Sequence, residues 1–202
     1  LDEFIIYIDG NSDKGVVVTQ DPVSFLFDMD IYENHVIVRH ENITPISVSD
    51  MSVWDSSDDA DISYTVVTGA TDTLTLSADT KLIVWNDKQF EPNGDVDIPG
   101  GGSGSAFDGT LELLSGATFI GGDTEEYTIA GSLLSGLGAL FDSAESTTTF
   151  TSIVVGSTVD TNEGGFYNVI FTGSGDWTIL DTVFTVGGGY IKSAGTLTLP
   201  SA

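Results

Sequence analysis

The chain contains no cysteine. Disulfide staples, thiolate metal sites and thiol nucleophiles are therefore excluded, and stability must come from packing and backbone pairing. Cations are almost as scarce: Lys14, Arg39, Lys81, Lys88 and Lys192 are the whole basic inventory, against 31 acidic side chains and a formal net charge of -26. Five scattered cations make a poor phosphate-reading surface, so DNA, RNA and anionic membranes are poor partners and no nucleic acid is expected. No apolar run approaches the ~20 residues a membrane-crossing helix needs, which argues against direct membrane insertion. A secretory leader is not visible either, and the chain opens on Leu1 rather than Met, as a processed or trimmed product would.

What the sequence does have is hydrophobic content. Hydrophobic residues make up 40% of the 202 positions and aromatics 10%, too much for a disordered chain and enough to build a core. Helix signals are weak, while strand signals recur at 4–8, 16–19, 23–27, 35–39, 63–67, 73–76 and 81–85. They continue at 110–114, 117–120, 126–129, 150–155, 166–171, 177–180, 183–186, 190–192 and 196–199. β-Branched and aromatic residues fill these segments, and Gly, Asp, Asn and Ser fill the gaps. The fold class is all-β: short-stranded β-solenoid or β-sandwich repeats, behind an antiparallel N-terminal β unit. GSLLSGLGALFD (131–142) reads as a tight packed loop or one short helix, its glycines and serines falling at the apolar spacings.

Composition divides the chain into an antiparallel module at 1–60, which is assembly-specific, a β repeat unit at 61–98, and a β-repeat domain at 107–202. Between the last two lies PGGGSGSA (99–106), a flexible linker or a loop bulging from one rung. In FYNVIF (166–171), alternation puts Phe166 and Ile170 on one face and Tyr167, Val169 and Phe171 on the other. Apolar side chains on both faces place such a strand between stacked layers or at an interface. Short turns containing SG, GD, LDT and GGG suit hairpins or the corners of a coil, not helical crossovers.

FYNVIFTGSGDWTIL (166–180), VFTVGGG (183–189) and SAGTLTL (193–199) resemble, in that order, the Thr/Gly-rich β-strand repeats of large bacterial surface proteins and phage virion structural proteins. LTLSADTKLIVWNDKQFEPNGDV (74–96) looks like another such unit, with Asn93 where the family pattern carries a glycine. The likeness runs over 65–199 with an unmatched middle, and residues 1–60 lie outside it. It implies a passive scaffold or fibre-like segment within a larger polypeptide or multimer.

Candidate sites are few. DGNSDKG (9–15) alternates Asp9, Asn11 and Asp13 in a glycine-bounded loop, a pattern that can converge oxygens on a hard Ca²⁺ ion. Lys14 and Gln20 stand where an EF-hand loop has its glycine and bidentate glutamate, and a plain hairpin turn is the competing reading. Asp28 with Asp30, Asp58 with Asp59 and Asp61, and Asp123 with Glu125 and Glu126 are further acidic turns. No cofactor is required on this reading; calcium is the one the turns could take. His35 and His40 form no catalytic spacing, and HExxH, GxSxG and phosphate-loop motifs are absent. The chain therefore reads as not an enzyme.

Phe4, Ile6, Ile8, Phe166, Ile170 and Trp177 are the candidate assembly surface, with 4–8 as a strand to donate to a neighbour. Trp54 beside an acidic loop is the candidate glycan platform, and Asn42 opens the sequon NIT. The expected function is a structural subunit of a filament, surface layer, shell or fibre. It would be extracellular, at a cell surface or in a virion, and partnered by copies of itself or other structural subunits. A glycan-binding adhesin or receptor-binding module ranks second and a polysaccharide-active enzyme third.

Overall fold

β-Branched and aromatic residues alternating with small polar ones, broken every few positions by Gly, Asp or Asn, make short strands joined at corners. The computed structural model describes residues 3–10, 12–20, 29–41 and 44–201. Strands β1 (Glu3–Tyr7), β2 (Gly15–Gln20) and β3 (His35–Val38) come first, then helix α1 (Val48–Met51), β4 (Tyr64–Val67) and β5 (Thr73–Leu76). Next are β6 (Lys81–Val84), β7 (Gln89–Phe90), β8 (Asp95–Ile98), β9 (Leu111–Leu113), β10 (Thr118–Ile120) and β11 (Glu126–Ile129). β12 (Leu133–Ser135), β13 (Leu140–Asp142), β14 (Thr147–Phe150) and β15 (Ser157–Val159) follow. The order ends with β16 (Asn168–Phe171), β17 (Asp176–Ile179), β18 (Tyr190–Lys192) and β19 (Thr196–Thr198).

From β6 onward the chain winds round three sides. β6, β9, β12, β15, β17 and β19 stack in parallel on one, β8, β11, β14, β16 and β18 on the second, and β7, β10 and β13 on the third. The third side extends as single bridges, Ile46 to Phe90, Asp142 to Gly165 and Phe166 to Val186. The protein is an all-β solenoid. Among the named strands the antiparallel pairs are β1–β2 and β4–β5, which close the outer edges of the first two sheets; β2 and β3 already run parallel. The antiparallel character expected of the opening residues is thus confined to its first hairpin. The strand expected at 23–27 lies outside the described residues.

Each turn of the coil contributes inward side chains at matching positions. On the first side, Val16, Val36, Leu82, Leu111, Leu133, Val159 and Ile179 pair in succession and are all buried. The third side carries a phenylalanine ladder. Phe90 and Phe119 meet edge to face at 5.7 Å, Phe119 and Phe141 stack at 5.1 Å, and Phe141 meets Phe166 at 5.6 Å. On the second side Phe150 stacks on Phe171 at 5.0 Å. Each such ring pair contributes ~0.5–1.5 kcal/mol beyond the apolar area it buries. The sequence between β8 and β9, including the glycines of 99–106, is the long corner of one turn, since β9 returns to β6 and β11 to β8.

Two expectations change, and a short helix stands where the sequence carried no reading. Residues 131–142 hold two strands, β12 and β13, rather than a loop or helix, because Leu133 and Phe141 each join an inward column while Gly138 turns between them at φ 72°. The one helix among the described residues, α1, is capped by Ser47 and Asp50, whose side chains each accept from the other's backbone N–H. Most telling is FYNVIF. Phe166 belongs to the third side, and a corner at Tyr167 resets the alternation before β16 begins. Phe166, Val169 and Phe171 all point into the core, while Ile170 is half-buried on the outside between Thr149 and Ile191. The two greasy faces were two sides of one coil.

Close stacking leaves no room at some corners. A methyl at Gly173 would sit 1.9 Å from the Ser152 carbonyl oxygen of the preceding turn, a backbone atom that cannot step aside. Gly173→Ala is expected to abolish cooperative folding or lower the melting midpoint severely. Phe171→Ala should cost about 3–5 kcal/mol, the usual toll of emptying an aromatic core position. Urea unfolding followed by tryptophan fluorescence checks both, since Trp177 packs 5.2 Å from Phe171.

Candidate functional site

The closing hairpin strands carry two acidic loops, one following β1 and one preceding β4, and the fold brings them together. The Tyr7 hydroxyl donates to Asp59 Oδ2 at 3.0 Å across 52 residues, and the Gly10 N–H donates to Asp61 Oδ2 at 2.7 Å across 51. The Lys14 ammonium donates to the Ala60 carbonyl, so the 9–15 loop is clamped to the 55–62 loop from both ends. As a result Asp9, Asp59 and Asp61 each bring a carboxylate oxygen within 4.8 Å of the others. Oxygens at 2.3–2.6 Å from one Ca²⁺ lie no more than ~5 Å apart, so the trio is compatible with a shared ion. The Tyr7 phenol is pushed up, first by its hydrogen bond to Asp59, then by desolvation and then by the charges of Asp59, Asp9 and Asp61.

This trio joins members of two sequence candidates. Asp9 is in it; Asp13 is exposed and instead accepts from the Ser12 hydroxyl at 3.1 Å, and Asn11 lies outside the described residues. Asp59 and Asp61 are half-buried while Asp58 is exposed. Asp123, Glu125 and Glu126 form a turn of their own, with Glu125 accepting from the Thr124 N–H at 2.9 Å. Asp30 is exposed and accepts from the Tyr32 hydroxyl; Asp28 and the sequon residue Asn42 lie outside the described residues.

Asp55 is the keystone of the second loop. Burial pushes its carboxyl up, but hydrogen bonds from the Ser57 hydroxyl at 2.6 Å, the Val66 N–H at 2.8 Å and the Ser57 N–H at 2.7 Å outweigh that and hold it below the ordinary range. Asp97 and Asp160 move the opposite way. Burial raises both, and for Asp160 the Asn162 N–H opposes the rise while the neighbouring Asp181 adds to it.

The remaining candidates separate cleanly. Trp54 is 46% exposed beside Val53, and its carbonyl accepts from the buried Tyr64 hydroxyl at 2.7 Å, which anchors the backbone and leaves the indole facing solvent. Phe4 is exposed and Ile6 and Ile8 are half-buried, but β1 is paired along its length with β2, so the strand expected to be donated is occupied by its own chain. Phe166 and Trp177, expected at an assembly surface, are 3% and 1% exposed and hold successive turns of the coil together. The histidines serve structure: His40 is buried and accepts from the Gln89 N–H at 3.0 Å, and His35 packs edgewise on Tyr32 and Phe107. No helix among the described residues is long and apolar enough to cross a membrane.

Asp55→Asn removes a charged acceptor from three donors and is expected to cost about 1–3 kcal/mol at neutral pH. Because the folded carboxyl sits below its ordinary 3.8, its contribution is complete above that value and is lost as pH falls through the folded pKa. The stability gap between wild type and variant should therefore narrow toward pH 2 in urea titrations at stepped pH. Asp97 and Asp160, raised by burial, gain stability as they protonate and are unchanged in both proteins, so the difference isolates Asp55.

Compared with known proteins, the chain matches no family model, no curated protein and no solved structure.

Proposed function

We propose that the chain is a non-enzymatic structural subunit of an extracellular or virion assembly, a rigid coil stiffened by cations at its acidic turns. The observation that carries this reading is the uninterrupted core. One hydrophobic cluster extends from Val16 to Ile179, built from the same inward positions turn after turn. Such a coil gains stability from nearest-neighbour stacking and extends in one dimension, which suits a spacer, fibre or lattice element. Clefts of about 130 to about 430 Å³ open on the surface. One of about 230 Å³ lies beside Asp97 and Asp108, but the Asp108 carboxylate is already taken by the N–H groups of Gly101 at 2.6 Å and Gly104 at 3.0 Å. A net charge of -26 favours surroundings rich in salt or divalent ions, as in brine or a calcium-bearing exterior.

Electron microscopy of the native material tests the class directly: filaments, a lattice or a shell are expected, and a dispersed single-chain protein with turnover on a polysaccharide would overturn it. The cation part has its own measurement. Millimolar calcium should raise the melting midpoint relative to excess EDTA, and Asp9→Asn should remove most of that rise, since Asp9 is exposed and contributes nothing to the core. An identical midpoint in EDTA and calcium would withdraw the ion.

The exposed Trp54 indole favours a second reading, a glycan-binding module, because a solvent-facing Trp is a platform on which a sugar ring can stack. A glycan array should then show specific binding that Trp54→Ala abolishes.

A further inference from the structure

Acids are spread unevenly over the three edges of the coil. Corners leading from the first side to the third carry Asp87, Asp160, Glu163 and Asp181. Corners leading from the third side to the second carry Glu91, Asp123, Glu125 and Glu145. Four successive corners leading from the second side to the first, at 99–110, 130–132, 151–156 and 172–175, carry Asp108 alone. Asp108 is buried, and its two oxygens accept from the Gly101 and Gly104 N–H groups. Asp176, which opens β17 beside this edge, is turned onto the Gly156 N–H. At the preceding corner Asp79 is half-buried against Gly101. In a chain of net charge -26, this edge offers almost no free carboxylate.

Apolar side chains crown the same edge. Val155 is 81% exposed and Ile153 68%, at the corner between β14 and β15. Both of those strands are paired on either side, so the exposure belongs to the body of the coil. Ile153 and Val154 line a hollow of about 230 Å³ together with Pro99 and Ala130. Glycines keep it open: at Gly102, with φ 77°, a methyl would stand 3.2 Å from the Ile153 Cδ1. Asp97 is also in the lining, and burial pushes its carboxyl up, toward the neutral form. One patch therefore presents a projecting apolar group and, next to it, an apolar recess.

We propose that this neutral edge is a self-association surface, on which a second copy docks side by side about a two-fold axis, each Val155 entering the other copy's hollow. A two-fold contact needs a patch complementary to itself, and a knob beside a hole meets that need. Charge selects the occupant. Two bodies of the same high negative charge that met along either other edge would set carboxylates against carboxylates at several corners. Along this edge they touch through Val, Ile, Gly and Ser, whereas a cationic partner would be drawn to the two acidic edges instead. The inference rests on reading the chain as an assembly subunit, and it names the edge along which subunits join.

Sedimentation velocity of the full chain tests it. A concentration-dependent dimer is expected, tighter at high salt because screening relieves repulsion between two bodies of charge -26. Val155→Glu puts an acid on the neutral edge at an exposed position and should leave a monomer with an unchanged melting midpoint. Leu137→Glu, 87% exposed at a corner between the first and third sides, should dimerise as wild type does. Because the chain has no native cysteine, Val155→Cys should cross-link copy to copy with a bifunctional maleimide and Leu137→Cys should not. Dimers that survive Val155→Glu, or cross-link through position 137, would place the joint elsewhere and overturn the inference, leaving the assembly reading intact. A wild type that is monomeric at every concentration and salt also overturns it; micrographs of the native material then decide the assembly reading separately.

Discussion

Register between successive turns is the constraint on which this molecule stands. Parallel strands ~4.8 Å apart place each side chain directly against its counterpart one turn away. An inward position must therefore be apolar in every turn, and of a shape its two neighbours accept. Leu82, Leu111, Leu133, Val159 and Ile179 meet that demand with aliphatic groups, and Phe90, Phe119, Phe141 and Phe166 with rings. A single turn could not bury its own interior; each borrows one face from the turn below and one from the turn above. Misregister by one residue would send every inward side chain outward, so the ladders fix the pairing as firmly as they fix the core.

Three-sidedness follows from the corners. A flat sheet would keep alternating, but a corner breaks the period of two, as between Phe166 on one side and Val169 on the next. Left-handed residues make those corners: Asp87, Asn93 and Asn162 have φ between 49° and 56°, in the region Asn and Asp enter more readily than other side chains. The corners also set where loops can grow without disturbing the ladders. The 99–106 segment lengthens one turn at such a point, and the acidic 55–62 loop is held beside β4 by Asp55 in the same way. The acidic Asp9, Asp59 and Asp61 gather at such loops because the strand positions are committed to stacking.

Much of this was legible in the sequence. Short β segments, glycine-rich joints and a coil as one of two architectures are all written in local composition, and the residues of β5, β11 and β18 stand where the strand signals put them. What stayed hidden depends on contacts distant along the chain. β7 has two residues, too few for a periodic signal, and is a strand only because β10 lies beside it. Phe150 ends β14 instead of opening a strand toward 155, because Thr148 and Phe150 take inward places and leave Ile153 and Val155 on the surface. The site was half visible. Asp9 and the Asp59–Asp61 pair each stood out, but nothing local reports that hydrogen bonds from Tyr7 and Gly10 close the 50-odd residues between them.

The same stacking rule decides how so acidic a chain holds together. Charges placed at matching positions of adjacent turns would sit ~4.8 Å apart and repel along the whole coil. The outward columns avoid that arrangement almost throughout. Asp97 lies between Thr75 and Thr128, Glu112 between Ile83 and Leu134, and Asp142 between Ile120 and Gly165. Glu112 is further offset by Lys81, whose ammonium lies 2.7 Å away. Acids of adjacent turns do meet at Asp160 and Asp181 and at Asp95 and Glu126, and at the second pair the Glu126 N–H donates to the Asp95 carboxylate at 2.8 Å and compensates one of them. Spacing acids by neutral turns leaves their repulsion to act through solvent, where salt screens it, while the inward apolar columns carry no charge. The surface can then be as acidic as its surroundings demand, because the columns that carry charge are not the columns that carry the fold.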